Sequence, residues 1–536
     1  MQQLKTFRRC ATAAGVLFAI AAVSAETTTS AQALLDLLVK KGLVTPQEAA
    51  ALQQEANQNA AASAAAAPAP NQATNGAPVA PASPSAPMGG PGVYNGNVVN
   101  TDPGKSPLAF KIGIADFTPV GFLDFTGVYR DTTNGGAIGT SFGGLAYSNT
   151  ANGQLSETRL SAQNSRIGLR VDSQVNDVKV LGYVEADFLG SVPTNVNVNS
   201  NSDPLRMRLY FADLKTGPWE VLAGQDWSML TPNRKGIGAM PSDVFYTQDV
   251  DTNYQLGLVW ARQAQLRVIY HFDDSLAFGV SAENPDQYVG SALTLPTGFN
   301  TAEVDNGSNG TATPNVIPDI IAKLAYDSKL ADTLPFHVEV SGLYRDFKIN
   351  TFATGAAPIN VNSSASGYAG SFNSNLSILP NLALFQTAFY GNGGGRYIST
   401  AVGPDFVVNP ANSSGAFTIQ TVKSGSGILG AEFDATPMTK LFAYYGVAAF
   451  SSAYTQLANG SYVGYGYPGE SNSANRRIEE YTLGAAQTLW KSAAYGDLKI
   501  LGQVSYLERK PFYVPAGSPS DAHMNMLYLD LRYDLP

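Results

Sequence analysis

From about Phe117 to the end of the chain, apolar and polar residues alternate with period two, interrupted at intervals by Gly, Pro, Asn and Asp. That period predicts strands with one apolar and one polar face. In Leu205–Phe211 the alternation is expected to send Leu205, Met207, Leu209 and Phe211 one way and Arg206, Arg208 and Tyr210 the other. In Lys179–Phe188, Val180, Val184, Ala186 and Phe188 oppose Lys179, Tyr183, Glu185 and Asp187. In Leu498–Arg509, Leu498, Ile500, Val504 and Tyr506 oppose Lys499, Gln503, Ser505 and Arg509. Two arginines on one face do not suit a buried core strand. One face is expected to meet hydrocarbon and the other water, the signature of a transmembrane barrel.

The pattern places strands near 117–130, 156–172, 178–189, 204–215, 219–228, 254–272, 276–284 and 318–326, then near 336–348, 366–378, 382–391, 424–434, 440–452, 477–489, 497–510 and 521–533. Tight links such as Thr216-Gly217-Pro218, Asp273-Asp274-Ser275 and Leu379-Pro380-Asn381 alternate with long polar segments such as 131–155, 285–317 and 392–423. A barrel threaded through a membrane shows this asymmetry of connections, and the even count of sixteen fits it. Gln255–Phe272 is expected to be one long strand, because its apolar residues hold the even positions and only Arg262 is out of place. In the second strand the phase slips between Leu160 and Ile167, which predicts a bulge near Asn164-Ser165. Phe117, Tyr129, Phe188, Trp219, Phe272, Tyr326, Tyr344 and Tyr533, near strand ends, are expected to form interfacial girdles. A β-sandwich uses aromatics too, but its second face would be solvated.

Upstream the pattern differs. Residues 1–25 carry Lys5, Arg8 and Arg9 before an apolar stretch and a small-residue site at Val23-Ser24-Ala25, which predicts an export signal; an uncleaved anchor is the alternative. Residues 26–59 predict a helix pair, Ala31–Lys41 and a second opened by the capping box Thr45-Pro46-Gln47-Glu48; a spacer with residual helicity is the bland reading. Residues 60–107 are Ala, Pro, Asn, Ser and Gly and predict a flexible linker, leaving 108–536 as the barrel.

Composition narrows the class. Only 14% of residues are charged, whereas soluble domains average roughly 25%. Outside the N-terminus no apolar run is long enough for a spanning helix. The net charge of −9 becomes −12 without the leader's three basic residues, which excludes a general nucleic-acid binder. The single Cys10 lies in the leader, so no disulfide is expected. Export without a helical anchor points to a bacterial cell envelope.

No HExxH, phosphate loop, GxSxG or metal-spaced Cys/His set is present, so neither an enzyme nor a cofactor is expected. Of His271, His337 and His523, only the first two have inward parity, as polar wall residues. The chemistry on offer is cationic. Arg130, Arg159, Arg166, Arg170, Arg206, Arg208 and Arg267 have inward parity on the first six strands, joined by Lys323, Arg345 and Arg532. Within low-dielectric walls such a group concentrates anions. Alternatively these cations pair with Asp124, Glu185, Asp187, Asp226 and Glu339 to brace the wall; both readings can hold. The third long loop, Met229–Asn253, carries Arg234, Lys235, Asp243, Asp249 and Asp251, which could face one another across a constriction if it folds inward; an exposed surface loop is the simpler alternative.

Arg159-Leu-Ser-Ala-Gln-Asn-Ser-Arg-Ile-Gly-Leu-Arg-Val171 resembles the early arginine-bearing strand of the DcaP-like outer-membrane porin family, with Ala223-Gly-Gln-Asp-Trp-Ser228, Ala282-Glu-Asn-Pro285 and Leu527-Tyr-Leu-Asp-Leu-Arg-Tyr533 in support. The resemblance covers the barrel. It implies a homotrimer of sixteen-stranded barrels in the bacterial outer membrane, passing small anionic solutes such as dicarboxylates. The chain departs from the family pattern in ending on Pro536, with Tyr533 the last aromatic, and in carrying a short helix pair rather than an extended coiled coil. The expectation is therefore a passive porin; an outer-membrane barrel hydrolase or adhesin is the alternative.

Overall fold

The computed structural model describes residues 106–536 except 134–136, 191–202, 240–249, 308–312, 316, 331–332, 355–357 and 471. The expected export signal, helix pair and nearly all of the linker lie outside the described residues. Among the described residues no helix is long and apolar enough to cross a membrane.

The strands are β1 (Ala115–Arg130), β2 (Glu157–Ser161 continued as Arg166–Val175), β3 (Val178–Asp187), β4 (Arg206–Thr216), β5 (Trp219–Trp227), β6 (Arg262–His271), β7 (Leu276–Glu283) and β8 (Asp319–Leu330). They continue as β9 (Leu334–Ala353), β10 (Ile359–Leu379), β11 (Leu382–Asn392), β12 (Lys423–Thr436), β13 (Thr439–Phe450), β14 (Asn475–Ser492), β15 (Gly496–Pro511) and β16 (Ala522–Asp534). Each pairs antiparallel with its chain neighbours. β16 returns to β1, with Asp124 opposite Arg532, so the sheet closes on itself with sixteen strands and no free edge.

Sidedness is as the alternation requires. Leu123, Phe125, Leu160, Leu429, Leu483 and Leu531 are exposed on the outer wall, while Asp124, Thr126, Lys323, Glu432, Glu480 and Asp530 are buried within it. Closure satisfies the backbone hydrogen bonds, and an apolar exterior around a polar interior is what such a wall needs in order to stand in hydrocarbon. Aromatics ring both ends. Trp219, Tyr270 and Phe272 meet edge to face at 4.8 and 5.0 Å on the short-turn side. Tyr344 and Tyr368 meet at 5.3 Å on the long-loop side.

The short turns occur where expected; Gly217, at φ +52°, turns β4 into β5. In bacterial outer-membrane barrels the short turns are periplasmic and the long loops extracellular. The long-side connections of this barrel are called outer loops 1–8 in chain order.

Three details differ from the alternation or refine it. The bulge expected near Asn164-Ser165 interrupts β2 between Ser161 and Arg166, and the Ser165 hydroxyl accepts the Asp124 N–H at 2.9 Å. A second, unexpected bulge lies in β4, where Glu185 pairs with Leu209 and the next residue, Ala186, pairs with Met207. Arg208 and Leu209 therefore both turn inward, Phe211 follows, and Tyr210 faces out, which corrects the expected alignment of this strand. The displaced Arg208 carbonyl is taken by Gln225 Nε2 at 2.8 Å. Third, the strand expected over 254–272 begins only at Arg262. Gln255–Ala261 belongs to outer loop 3 and lies inside the barrel. Gly257, at φ +90°, packs so closely on β12 and β13 that a Cβ there would meet the Gly427 carbonyl oxygen at 2.3 Å. Leu256 and Leu258 are fully buried. Each such leucine contributes about 1.5–3 kcal/mol by burial, which explains why apolar residues of strand-like period remain off the wall.

Candidate functional site: the lumen and its inward loops

Outer loop 3 crosses the interior. Its first part runs along β8, β9 and β12. Lys323 Nζ donates to the Thr231 carbonyl at 2.9 Å, Asn233 N–H to Glu339 at 3.2 Å, and Arg234 closes on Glu432 at 2.7 and 3.2 Å. Its second part lies against β14, β15 and β16. Leu256 N–H donates to Glu480 at 2.8 Å, Val250 N–H to Gln503 at 2.8 Å, and Tyr528 O–H to Asp251 at 3.0 Å. Of the expected constriction charges, Arg234 and Asp251 are thus spent on the wall, and Lys235 is exposed. Asp243 and Asp249 lie outside the described residues. Burial pushes the Asp251 carboxyl above its ordinary range.

Other loops follow. Arg130 holds outer loop 1 by the Ala137 and Ile138 carbonyls at 3.2 and 2.8 Å, and pairs with Glu157 at 2.8 Å. Arg345 pairs with Asp319 at 3.0 Å and Asp405 at 2.7 Å and donates to the carbonyls of Gly393 and Asp286 at 2.7 Å each. Arg267 donates to the Trp227 and Gly238 carbonyls at 2.7 and 3.2 Å. The five-donor guanidinium suits this work. Arg130, Lys323 and Arg345 have no exposed surface and fasten loops to the wall.

Every acid expected to brace the wall has its cation. Asp124 pairs with Arg532 at 2.7 Å, Glu185 with Arg208 at 2.5 Å, Asp187 with Arg206 at 2.6 Å, Asp226 with Arg267 at 3.4 Å and Glu339 with Lys323 at 2.9 Å. Arg170 is bidentate on Asp172 at 2.6 and 2.7 Å. It lines a cavity of about 430 Å³ on the short-turn side with Lys179, Lys215 and Asp213. His271 is 2.7 Å from Glu220, His337 sits between Asp327 and Glu339, and His523 lies outside against Tyr506.

On the long-loop side of β2, β4 and β6 the structure brings Arg166, Arg206 and Arg208 together with Arg262, which parity alone had set apart. Arg166 and Arg208 both donate to the Tyr254 hydroxyl, at 3.2 and 3.1 Å. Arg208 and Arg262 both lie over the Trp227 ring, at 5.7 and 5.6 Å. Trp227, Trp260 and Tyr254 form an edge-to-face triad with centroids 5.3 to 6.2 Å apart. Tyr254 is held at φ +62°, a conformation costing a non-glycine residue of order 1–3 kcal/mol and offset here by two guanidinium bonds and two ring contacts. Arg159, by register on the inner face, is 44% exposed and shares Glu157 with Arg130. Among the described residues the carboxylates that pair with these guanidiniums are Glu185 and Asp187, at 2.5 to 3.1 Å. Tyr254, Trp227, Trp260 and Arg262 escape sequence reasoning because the path of outer loop 3 brings them together; the one signal was the out-of-phase Arg262. Among the described residues no group of His, Cys, Asp and Glu side chains is arranged to hold a metal ion.

No family model and no curated protein sequence matches the chain. Among solved structures it is similar to the outer membrane channel DcaP of Acinetobacter baumannii, with 18% identity over 79% of this chain and 99% of that one and a TM-score of 0.54. Weaker likenesses are to an anion-selective porin from Comamonas acidovorans, with 12% identity, 78% and 99% covered and a TM-score of 0.44, and to OprB of Pseudomonas putida, with 13%, 78%, 94% and 0.40. At these identities the likeness is one of fold. It agrees with the closed antiparallel barrel described above.

Proposed function

We propose that this protein is a porin of the bacterial outer membrane, a passive route for small hydrophilic solutes biased toward anions. The observation that carries the bias is that four guanidiniums, Arg166, Arg206, Arg208 and Arg262, gather beside the inward loop, with the Arg206 side chain 37% exposed. In a low-dielectric wall a group of cations raises the local anion concentration, and guanidinium forks match carboxylates. Arg159, Arg170 and Arg206, the inward arginines that keep contact with open volume or a cavity, are the proposed pore-lining members of the predicted set. Arg130, Arg267, Lys323 and Arg345 shape the passage by fixing its loops. The solute class put forward is small dicarboxylates, and the assembly a homotrimer seated in outer-membrane lipid by the apolar belt; both come from the sequence resemblance.

The test is reconstitution of the purified protein in planar bilayers with a salt gradient. Discrete conductance steps with a reversal potential on the anion side support the reading. Cation preference would refute the bias, and absence of conductance would refute the porin itself. Light scattering of the detergent-solubilised protein reports the oligomer.

A further inference from the structure

A cavity of about 450 Å³ opens on the extracellular side, walled by outer loops 1, 3, 4, 6 and 7 and by the tops of β14 and β15. Its volume falls within the roughly 300–1,000 Å³ usual for small-ligand sites. Among the described residues that line it the one charged side chain is Arg509, 6% exposed. Arg509 forms no ion pair among the described residues. Its terminal nitrogens donate to the Gly143 carbonyl and, at 3.1 Å, to the Asn472 carbonyl, and it stacks over Tyr147 at 4.7 Å. Its Nε is buried without a hydrogen-bond partner, and so is Oδ1 of the neighbouring lining residue Asn475. Thr400, also in the lining, is held at φ +57°, a strained conformation that persists where surrounding structure imposes it and that clusters at ligand clamps.

We propose that this cavity binds a small hydroxylated monoanion, a sugar acid in size and chemistry. A buried cation without a counter-charge is costly, and a carboxylate reaching Arg509 removes that cost. With one guanidinium and no carboxylate among the described lining residues, the site compensates one negative charge; among those residues a second charge on the same ligand has no cation to meet. Ser141, Ser291 and Thr400 offer hydroxyls that both donate and accept, as ligand hydroxyls require. The rings of Tyr288 and Tyr465 offer apolar surface for the ligand's C–H face. The site uses none of the residues of the Tyr254 cluster, and the proposal holds whether or not the lumen prefers anions.

The experiment is titration calorimetry on the full-length protein in micelles with glucuronate, glucose, acetate and succinate, on wild type, Arg509→Gln and Ser291→Trp. Saturable glucuronate binding is expected, with each of the other three at least tenfold weaker, and both substitutions weakening glucuronate at least tenfold. The reversal potential in potassium chloride stays that of wild type in both variants and reports the lumen's preference separately. Where Arg509→Gln fails to fold, Ser291→Trp, which leaves the guanidinium in place and fills the cavity, still decides. Absence of saturable glucuronate binding, equal affinity for glucose, or binding unchanged in Ser291→Trp overturns the proposal.

Discussion

Arg234, on the inward loop, grips Glu432 of β12 with two hydrogen bonds at 2.7 and 3.2 Å, across 198 residues of chain, and its guanidinium lies 4.7 Å from the Phe385 ring centroid. Both groups are buried. Removing one partner of a buried pair costs up to about 3–5 kcal/mol, whereas replacing both with apolar residues is often neutral; Glu432 keeps Lys440 at 3.6 Å and the Tyr444 hydroxyl at 3.0 Å, which places the loss of Arg234 below that figure. Arg234→Ala is therefore expected to lower the melting temperature and to expose outer loop 3 to protease in reconstituted vesicles. The double variant Arg234→Met with Glu432→Leu is expected to recover most of that loss; a double variant as labile as the single one contradicts the pairing argument.

Arg206 is the member of the Tyr254 cluster with the most open side chain, 37% exposed. Arg206→Glu changes the local charge by two units at the lumen without touching a loop anchor. The reversal potential is expected to move toward the cation side, more in 0.1 M than in 1 M salt, because the Debye length falls from about 10 to about 3 Å. A shift of the same size at both salts would mean that the residue acts on pore shape rather than on charge.

Glu470 lies in outer loop 7, outside the spanning strands, where burial pushes its carboxyl up to about 7. The folded loop then holds a proton that the open loop releases near 4.5, so docking is favoured in acid, weakens as pH rises from about 4.5 to about 7, and is flat above. Hydrogen exchange of residues 465–470, corrected for intrinsic rate, is expected to be slower at pH 5 than at pH 8. Glu470→Gln is expected to abolish the difference.

The bulge in β4 places Leu209 inside and Tyr210 outside. In a cysteine pair test, Tyr210→Cys is expected to react with a lipid-soluble maleimide while Leu209→Cys stays protected. The opposite result would restore unbroken alternation and take Leu209 out of its packing with Leu258.

The contrast between β15 and β4 shows what the sequence makes legible. In β15 the rule holds because Val504 and Tyr506 meet lipid while Lys499, Gln503 and Ser505 turn to the polar interior. It fails in β4 because the interior is not uniformly wet: Leu209 and Phe211 pack in a cluster with Leu258 of outer loop 3. The same packing draws Leu256 and Leu258 off the wall. Period two reports the wall, and an inward loop that carries its own leucines mimics it. Parity placed Arg166, Arg206 and Arg208 on one face of the sheet. It held no information on Tyr254, which meets two of them only through the course of a loop. The bracing pairs were legible because cross-strand neighbours follow from register: Asp187 lies opposite Arg206, and Asp124 opposite Arg532.

That last pair joins residues 408 positions apart. Until β16 is in place, β1 presents an unpaired row of amides and carbonyls to whatever strand it meets first. Closing the sheet thus requires contacts of long sequence separation, and such contacts slow folding. A cell making this protein must shield that half-finished margin, and loss of the final strand would leave an adhesive edge behind.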